Sequence, residues 1–182
     1  MSVVTALESL QLETKKVLVA CSGGLDSTVL VHALARLNIP MTLFHVNYHL
    51  RGTESDLDQI LVESLGQSFN IPVHIEHCPK NILYGEGINL QQAARTFRRT
   101  FFREWTAKSE QHVVLVAHHA DDQVETFFLQ LARGAGIFGL GGMHFEQAQM
   151  IRPFLELTKS DLKRYAVEHK INWREDRSNK EN

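Results

Sequence analysis

Short unbroken apolar runs alternate along this chain with longer stretches in which apolar residues recur at helical spacing. Val17–Ala20 predicts a first buried strand. From Asp26 to Leu37 the residues Val29, Leu30, Ala33, Leu34 and Leu37 share one stripe of a helix. Met41–Val46 predicts a second strand, Asn47–Thr53 a polar loop, and Glu54–Phe69 a helix announced by Thr53 and Asp56, a carboxylate variant of the capping box. Pro72–His77 predicts a third strand, Gly85–Gly87 a loop, and Asn89 with Gln92 the start of a long helix. Val113–Ala117 predicts a fourth strand and Asp121–Arg133 a helix whose Val124, Phe127, Phe128 and Leu131 form a core stripe. Gly134–Gly142 reads as a glycine-rich connector and Thr158–His169 as a last helix. Repeated strand–helix units imply an α/β protein, a parallel sheet sandwiched by helices.

Such sheets bind ligands beyond the carboxyl ends of their strands. That rule gathers Ser22–Ser27, His45–Arg51 and His118–Asp122 at one edge. Ser22-Gly-Gly-Leu-Asp-Ser27 follows the first strand directly and opens the first long helix. A glycine turn between strand and helix aims backbone N–H groups and the positive helix end at one anion. Gly23 and Gly24 permit the tight turn, Ser22 and Ser27 add hydroxyls, and Asp26 offers a carboxylate for Mg²⁺. No Gly-Lys-Ser/Thr follows, so this is not a Walker A loop.

The remaining polar segments are less decisive. His45 ends a strand and suits either a satisfied half-buried imidazole or a ligand contact, while Arg51 suits either a phosphate or solvent. On the helix from Asn89, Leu90, Ala94, Phe97, Phe101 and Trp105 make a buried stripe, and Arg95, Arg98, Arg99 and Arg103 gather on another face. Four arginines without interleaved acids suit solvent or phosphate. His118 and His119, adjacent at a strand end, point in opposite directions and lack the zinc-helix pattern. Asp122 and Glu125, three apart, share a helix face and suit either solvent or an ammonium group. Gly134-Ala-Gly-Ile-Phe-Gly139 matches the dinucleotide spacing but follows a helix rather than a strand, which excludes that site.

At 182 residues, a chain with 43% hydrophobic content suits one domain, burying about 70% of its unfolded surface. The whole chain, residues 1–182, is therefore expected to be a single catalytic domain. Two cysteines suggest no disulfide framework, and a net charge of −2 gives no overall attraction to nucleic acid. No stretch approaches membrane-spanning length and the N-terminus lacks signal-peptide character, so a cytoplasmic protein is expected.

Six segments carry a family resemblance: S-G-G-L-D-S, H-V-N-Y-H-L-R-G-T-E-S-D, N-L-Q-Q-A-A-R, H-H-A-D-D-Q-V-E-T, R-G-A-G-I-F-G-L and W-R-E-D-R-S-N. In this order, over residues 16–179, they resemble the tRNA(Ile)-lysidine synthetase family of PP-loop ATP pyrophosphatases. The resemblance implies a C–N ligase that adenylates the wobble cytidine of an isoleucine tRNA with ATP and Mg²⁺. Free L-lysine then displaces AMP. It implies ATP binding by Ser22, Gly23, Gly24, Leu25, Asp26, Ser27 and His45, and catalytic roles for Asp26 and Arg95. Asp122 and Glu125 would hold the lysine, and a homodimer is among the assemblies it allows. Tyr48 departs from the histidine the family loop often carries. Family members continue into C-terminal tRNA-binding domains, so this chain resembles their catalytic part alone. A PP-loop tRNA cytidine thiolase and a non-catalytic ATP-binding module are the alternatives. The first normally needs clustered cysteines, and the second has no use for D-D-Q-V-E-T or W-R-E-D-R-S-N.

Overall fold

The computed structural model describes residues 2–83, 89–134 and 141–175. The connector at 134–142 therefore lies mostly outside the described residues, as do the loop at Gly85–Gly87 and the end of W-R-E-D-R-S-N. Among the described residues six strands form one sheet: β1 (Lys16–Ala20), β2 (Met41–Asn47), β3 (Val73–His77), β4 (His112–Leu115), β5 (Glu146–Gln147) and β6 (Met150–Ile151). Their spatial order is β3-β2-β1-β4-β6-β5, parallel throughout except for the edge pair β5–β6.

The strand residues alternate between two cores, as the pleat requires. Val17, Val19, Leu43, Val113 and Leu115 face one apolar cluster, and Leu18, Phe44 and Val114 face the other. The first cluster is covered by α1 (Val3–Glu8), α2 (Leu25–Arg36), α3 (Thr53–Phe69) and α7 (Lys159–Glu168). The second is covered by α4 (Lys80–Leu83) and α5 (Leu90–Thr106). The sandwich expected from the alternating pattern is thus present, with short additions at α1, α4, β5 and β6.

Three local expectations are corrected. Helix α3 starts at Thr53 with Gly52 as its N-cap, so Thr53 is inside the helix and the capping position has no side chain; Asp56 accepts a hydrogen bond from Asn47 Nδ2 at 3.0 Å. On α5 the buried centre is Phe102, with Ala94, Phe97, Phe101 and Trp105 packed around it and Leu90 exposed. Helix α6 (Ala120–Ala132) has no buried residue: its stripe of Val124, Phe127, Phe128 and Leu131 is exposed among the described residues. Periodicity marks the apolar side of a helix but not what lies against it.

Strand order reverses between β1 and β4, since the chain crosses from β3 at one edge to the far side of β1. The crevice at the carboxyl ends of these two strands is where a sheet of this kind admits a ligand.

Candidate active site

A cleft of about 710 Å³ opens at that crevice, lined by Ser22 of the turn after β1, by Asp26 and Ser27 of α2, by His45 of β2, and from beyond β4 by His118 and Asp122. A second concavity of similar volume lies on the outer side of α5; it is mostly apolar, and its rim residues Ile82 and Asn89 flank residues outside the described set. Of these two, the first cleft collects the chemistry expected from the sequence.

The glycine turn is held from within. Gly23 has φ +88°, and an added Cβ there would meet the Asp58 backbone oxygen at 3.2 Å, so glycine is required by conformation and by space. Ser27 Oγ accepts from Ser22 N at 3.1 Å, contacts Ser22 Oγ at 3.2 Å and donates to Gly24 O at 3.2 Å. Gly24 N donates to Ser22 Oγ at 3.3 Å. The two hydroxyls thus brace the loop as well as facing the cleft. Gly24 caps α2 without a side-chain hydrogen bond, leaving first-turn amides of α2 for a ligand. The Leu25 side chain sits in the core, so it can serve a nucleotide only through its backbone.

Asp26 stands in the first turn of α2 with Oδ2 3.6 Å from His119 Nε2. Its Oδ1 is buried and has no hydrogen-bond partner among the described residues. A buried carboxylate oxygen left without a donor is costly, and a hard divalent cation satisfies it. The residues present therefore fit Mg²⁺. His45 is buried with Nδ1 2.9 Å from Cys21 O, and burial holds its pKa below the usual histidine value. A neutral ring facing a carbonyl carries its proton on Nδ1 and leaves Nε2 as an acceptor.

On the opposite wall His119 caps α6 in a reciprocal box with Asp122, whose Oδ2 accepts from His119 N at 2.8 Å. Burial opposes protonation of His119, but hydrogen bonding to Asp26 and the charges of Asp122, Asp26 and Asp121 outweigh it and raise its pKa. His118 behaves oppositely: burial, Arg152, Arg98 and Arg95 prevail over Asp122 and lower its pKa to about 4. Of the expected lysine pair, Asp122 lines the cleft, whereas Glu125 is exposed and lies outside its lining. Among the arginines of α5, Arg98 lines the cleft; Arg95 and Arg99 are exposed, and Arg103 turns to Thr100. Tyr48 donates to Ala94 O at 3.1 Å, which ties the β2 loop to α5.

Arg152 and Arg174, like Asp58, have no role at the site that the sequence assigns, although Arg174 falls within W-R-E-D-R-S-N. Arg174 N donates to Gly23 O at 3.1 Å, and its guanidinium binds Asp58 at 2.7 Å and Glu54 at 2.5 Å. The chain's last described segment thus backs the glycine turn, while Arg51 pairs with Asp58 at 2.8 Å. Arg152, on the far side of β4, donates to His118 Nδ1 at 3.2 Å. Neither contact has a sequence signal, because the partners lie 116 and 34 residues apart.

A parallel α/β sheet with a glycine turn at its switch point and a half-buried acid in the next helix defines a nucleotide-binding domain of the phosphate-loop kind. The sequence profile of the PP-loop domain matches residues 2–182, and the chain belongs to that family. Membership implies ATP use. The chain is 39% identical over 167 residues to a protein named tRNA(Ile)-lysidine synthase from Porphyromonas gingivalis, covering 91% of this chain and 37% of that one. It is 35% identical over 179 residues to the Bacillus subtilis protein of the same name, covering 94% of this chain and 38% of that one. The chain thus spans little more than a third of these relatives. In fold it is similar to the U34-tRNA thiolase NcsA from Methanococcus maripaludis, with a TM-score of 0.70 and 18% identity over 90% of this chain and 60% of that one. NMN synthetase from Francisella tularensis has a TM-score of 0.62 and 15% identity, covering 93% of this chain and 68% of that one. No described helix is long and apolar enough to cross a membrane.

Proposed function

We propose that residues 1–182 form the catalytic domain of a cytoplasmic tRNA(Ile)-lysidine synthetase, which joins L-lysine to the wobble cytidine of an isoleucine tRNA. The observation that carries this reading is one cleft holding a PP-loop with the bare Asp26 Oδ1 on one wall and Asp122 on the other. The names borne by the relatives supply the substrate class.

In the first step the cytosine O2 attacks the α-phosphorus of ATP, and the α–β bridging bond breaks to release pyrophosphate. Backbone amides at Gly23, Leu25 and the start of α2 stabilise the phosphate charge, while the Gly24 N–H braces the turn through Ser22 Oγ. Asp26 would hold Mg²⁺, which when bound neutralises the polyphosphate. His45 offers an acceptor at the cleft, and Arg95, Arg98 and Arg99 supply positive field for phosphates of ATP or of the anticodon backbone. In the second step the lysine ε-amine attacks C2, the C2–O2 bond breaks and AMP departs with that oxygen. Asp122 and Glu125 attract the ammonium groups of lysine. The protein contributes position and charge, since lysine itself is the nucleophile.

A sulfur-transfer reading receives no support from the thiols. Cys21 and Cys78 are both buried, in different core clusters, and burial raises both pKa values, Cys21 to about 11.

The test is ATP-dependent incorporation of labelled lysine into an isoleucine tRNA transcript, comparing the wild type with the double variant Asp122→Asn, Glu125→Gln. Loss of charge-assisted contacts of about 1.5–3 kcal/mol each should leave adenylation intact. Lysine transfer should fall by more than about tenfold and recover partly at high lysine. If adenylation collapses while the lysine dependence is unchanged, these acids serve ATP or the fold and the lysine pocket lies elsewhere.

A further inference from the structure

Arg152 is the most deeply buried arginine or lysine among the described residues, at 5% exposure. A buried guanidinium is ordinarily paired with a carboxylate, because its desolvation is otherwise uncompensated. No carboxylate pairs with Arg152 among the described residues; its donors go to neutral groups. Nε donates to His118 Nδ1 at 3.2 Å, Nη1 to His144 O at 2.7 Å, and Nη2 meets Met150 Sδ at 3.5 Å. Burial and the nearby Arg95 and Arg99 weaken its hold on its proton, yet a guanidinium stays charged in any ordinary solvent.

Chemistry then fixes the partner. An arginine nitrogen can only donate, so the His118 nitrogen facing it can only accept. A neutral imidazole with a bare Nδ1 carries its proton on Nε2. The scaffold makes this pairing rigid: β6 lies parallel to β4 with Ile151 beside Leu115, and Val116 N donates to Ile151 O at 3.0 Å. Arg152 is the next residue along and His118 lies just past the strand end, so neighbouring strands fix both. His118 itself lines the cleft.

We infer that Arg152 is a positioning residue that locks His118 as the Nε2–H imidazole, making His118 a neutral hydrogen-bond donor in the nucleotide cleft and not a proton acceptor. The inference rests on reading this cleft as the site of adenylate chemistry. It names the group served there: an oxygen that gains negative charge, on a phosphate or on the cytosine carbonyl. It also assigns a negative role, since the proton shed by the attacking lysine amine does not go to His118. The charges facing the ring agree, with Arg152, Arg98 and Arg95 against the single carboxylate of Asp122.

Long-range proton–nitrogen NMR on the chain with isotope-labelled histidine reads the tautomer directly, with His118→Gln identifying the signal. The wild type should show a protonated Nε2 and a bare Nδ1 from about pH 5 to about pH 8. Arg152→Met, which removes donor and charge, should give mixed tautomers and a protonation midpoint moved up toward that of an ordinary histidine. Arg152→Lys should stay nearer the wild type. A wild-type His118 protonated on Nδ1, or titrating like a free histidine, would overturn the inference, as would an unchanged tautomer in Arg152→Met. Should Arg152→Met not fold, the wild-type spectrum decides alone. Binding of α,β-methylene-ATP by calorimetry separates the two readings. No binding with the tautomer as expected removes the nucleotide reading and leaves the Arg152–His118 lock standing; binding with the wrong tautomer removes only the lock.

Discussion

His118 and His45 are worth comparing at the level of single side chains, because burial lowers both pKa values while each ring faces the cleft. Both rings bind a proton less tightly in the folded chain than in the unfolded one. The unfolded state therefore takes up protons first as the solution is acidified. Their stabilising share is complete above the unfolded value of 6.5 and is lost as pH falls from there, down to about 4 for His118. Each unit of separation is worth about 1.4 kcal/mol, so at about pH 5 the His118 contribution to the loss is about 2 kcal/mol. Urea unfolding at about pH 7 and about pH 5 checks this. The wild type should lose more stability on acidification than His118→Gln, whose side chain takes up no proton. Equal losses in the two proteins would show that His118 titrates normally in the fold.

Elements differ in how much of them the sequence exposes. Strands β1 to β4 and helices α2, α3, α5, α6 and α7 are long enough to display a period, and all were legible within a few residues. Helix α4 has four residues and β5 and β6 have two each, too few for any rhythm. The glycine turn was legible because its parts are contiguous. Asp58, Arg152 and Arg174 were not, because their roles exist only once distant segments meet. The same distinction explains α6: spacing reveals its apolar stripe, but whether that stripe is covered depends on distant segments, and among the described residues it is exposed. The energetic consequence is measurable. Phe102 on α5 is 4% exposed and packs against Phe44, whereas Phe128 on α6 is 60% exposed. Phe102→Ala should destabilise the chain by about 3–5 kcal/mol, and Phe128→Ala should stay within about 0.5 kcal/mol. Comparable shifts in urea midpoint for the two variants would mean that the α6 stripe is covered in solution.

Over the whole molecule, charge is nearly balanced, with 19 basic and 21 acidic residues, but it is not evenly spread. Glu54 and Asp58 are neutralised by Arg174 and Arg51 behind the glycine turn, and Asp26, Asp121 and Asp122 surround His119. Arg95, Arg98, Arg99 and Arg152 instead act on one another and on His118, with Asp122 the carboxylate facing that group. A polyanion therefore meets attraction at one wall of the cleft and none from the molecule at large. On the proposed reading this chain alone should bind an isoleucine tRNA weakly, with a dissociation constant of about micromolar or above at physiological salt. Three arginines, Arg95, Arg98 and Arg99, meeting a single-stranded anticodon loop should give a slope of about −2 in log affinity against log salt. Arg98→Gln should lower that slope by about 0.7, because one phosphate contact disappears. Fluorescence anisotropy over a salt series reads both quantities. Nanomolar binding that ignores salt would show that this domain recognises tRNA through contacts other than the arginine wall, and would remove the anticodon backbone from the role given to α5.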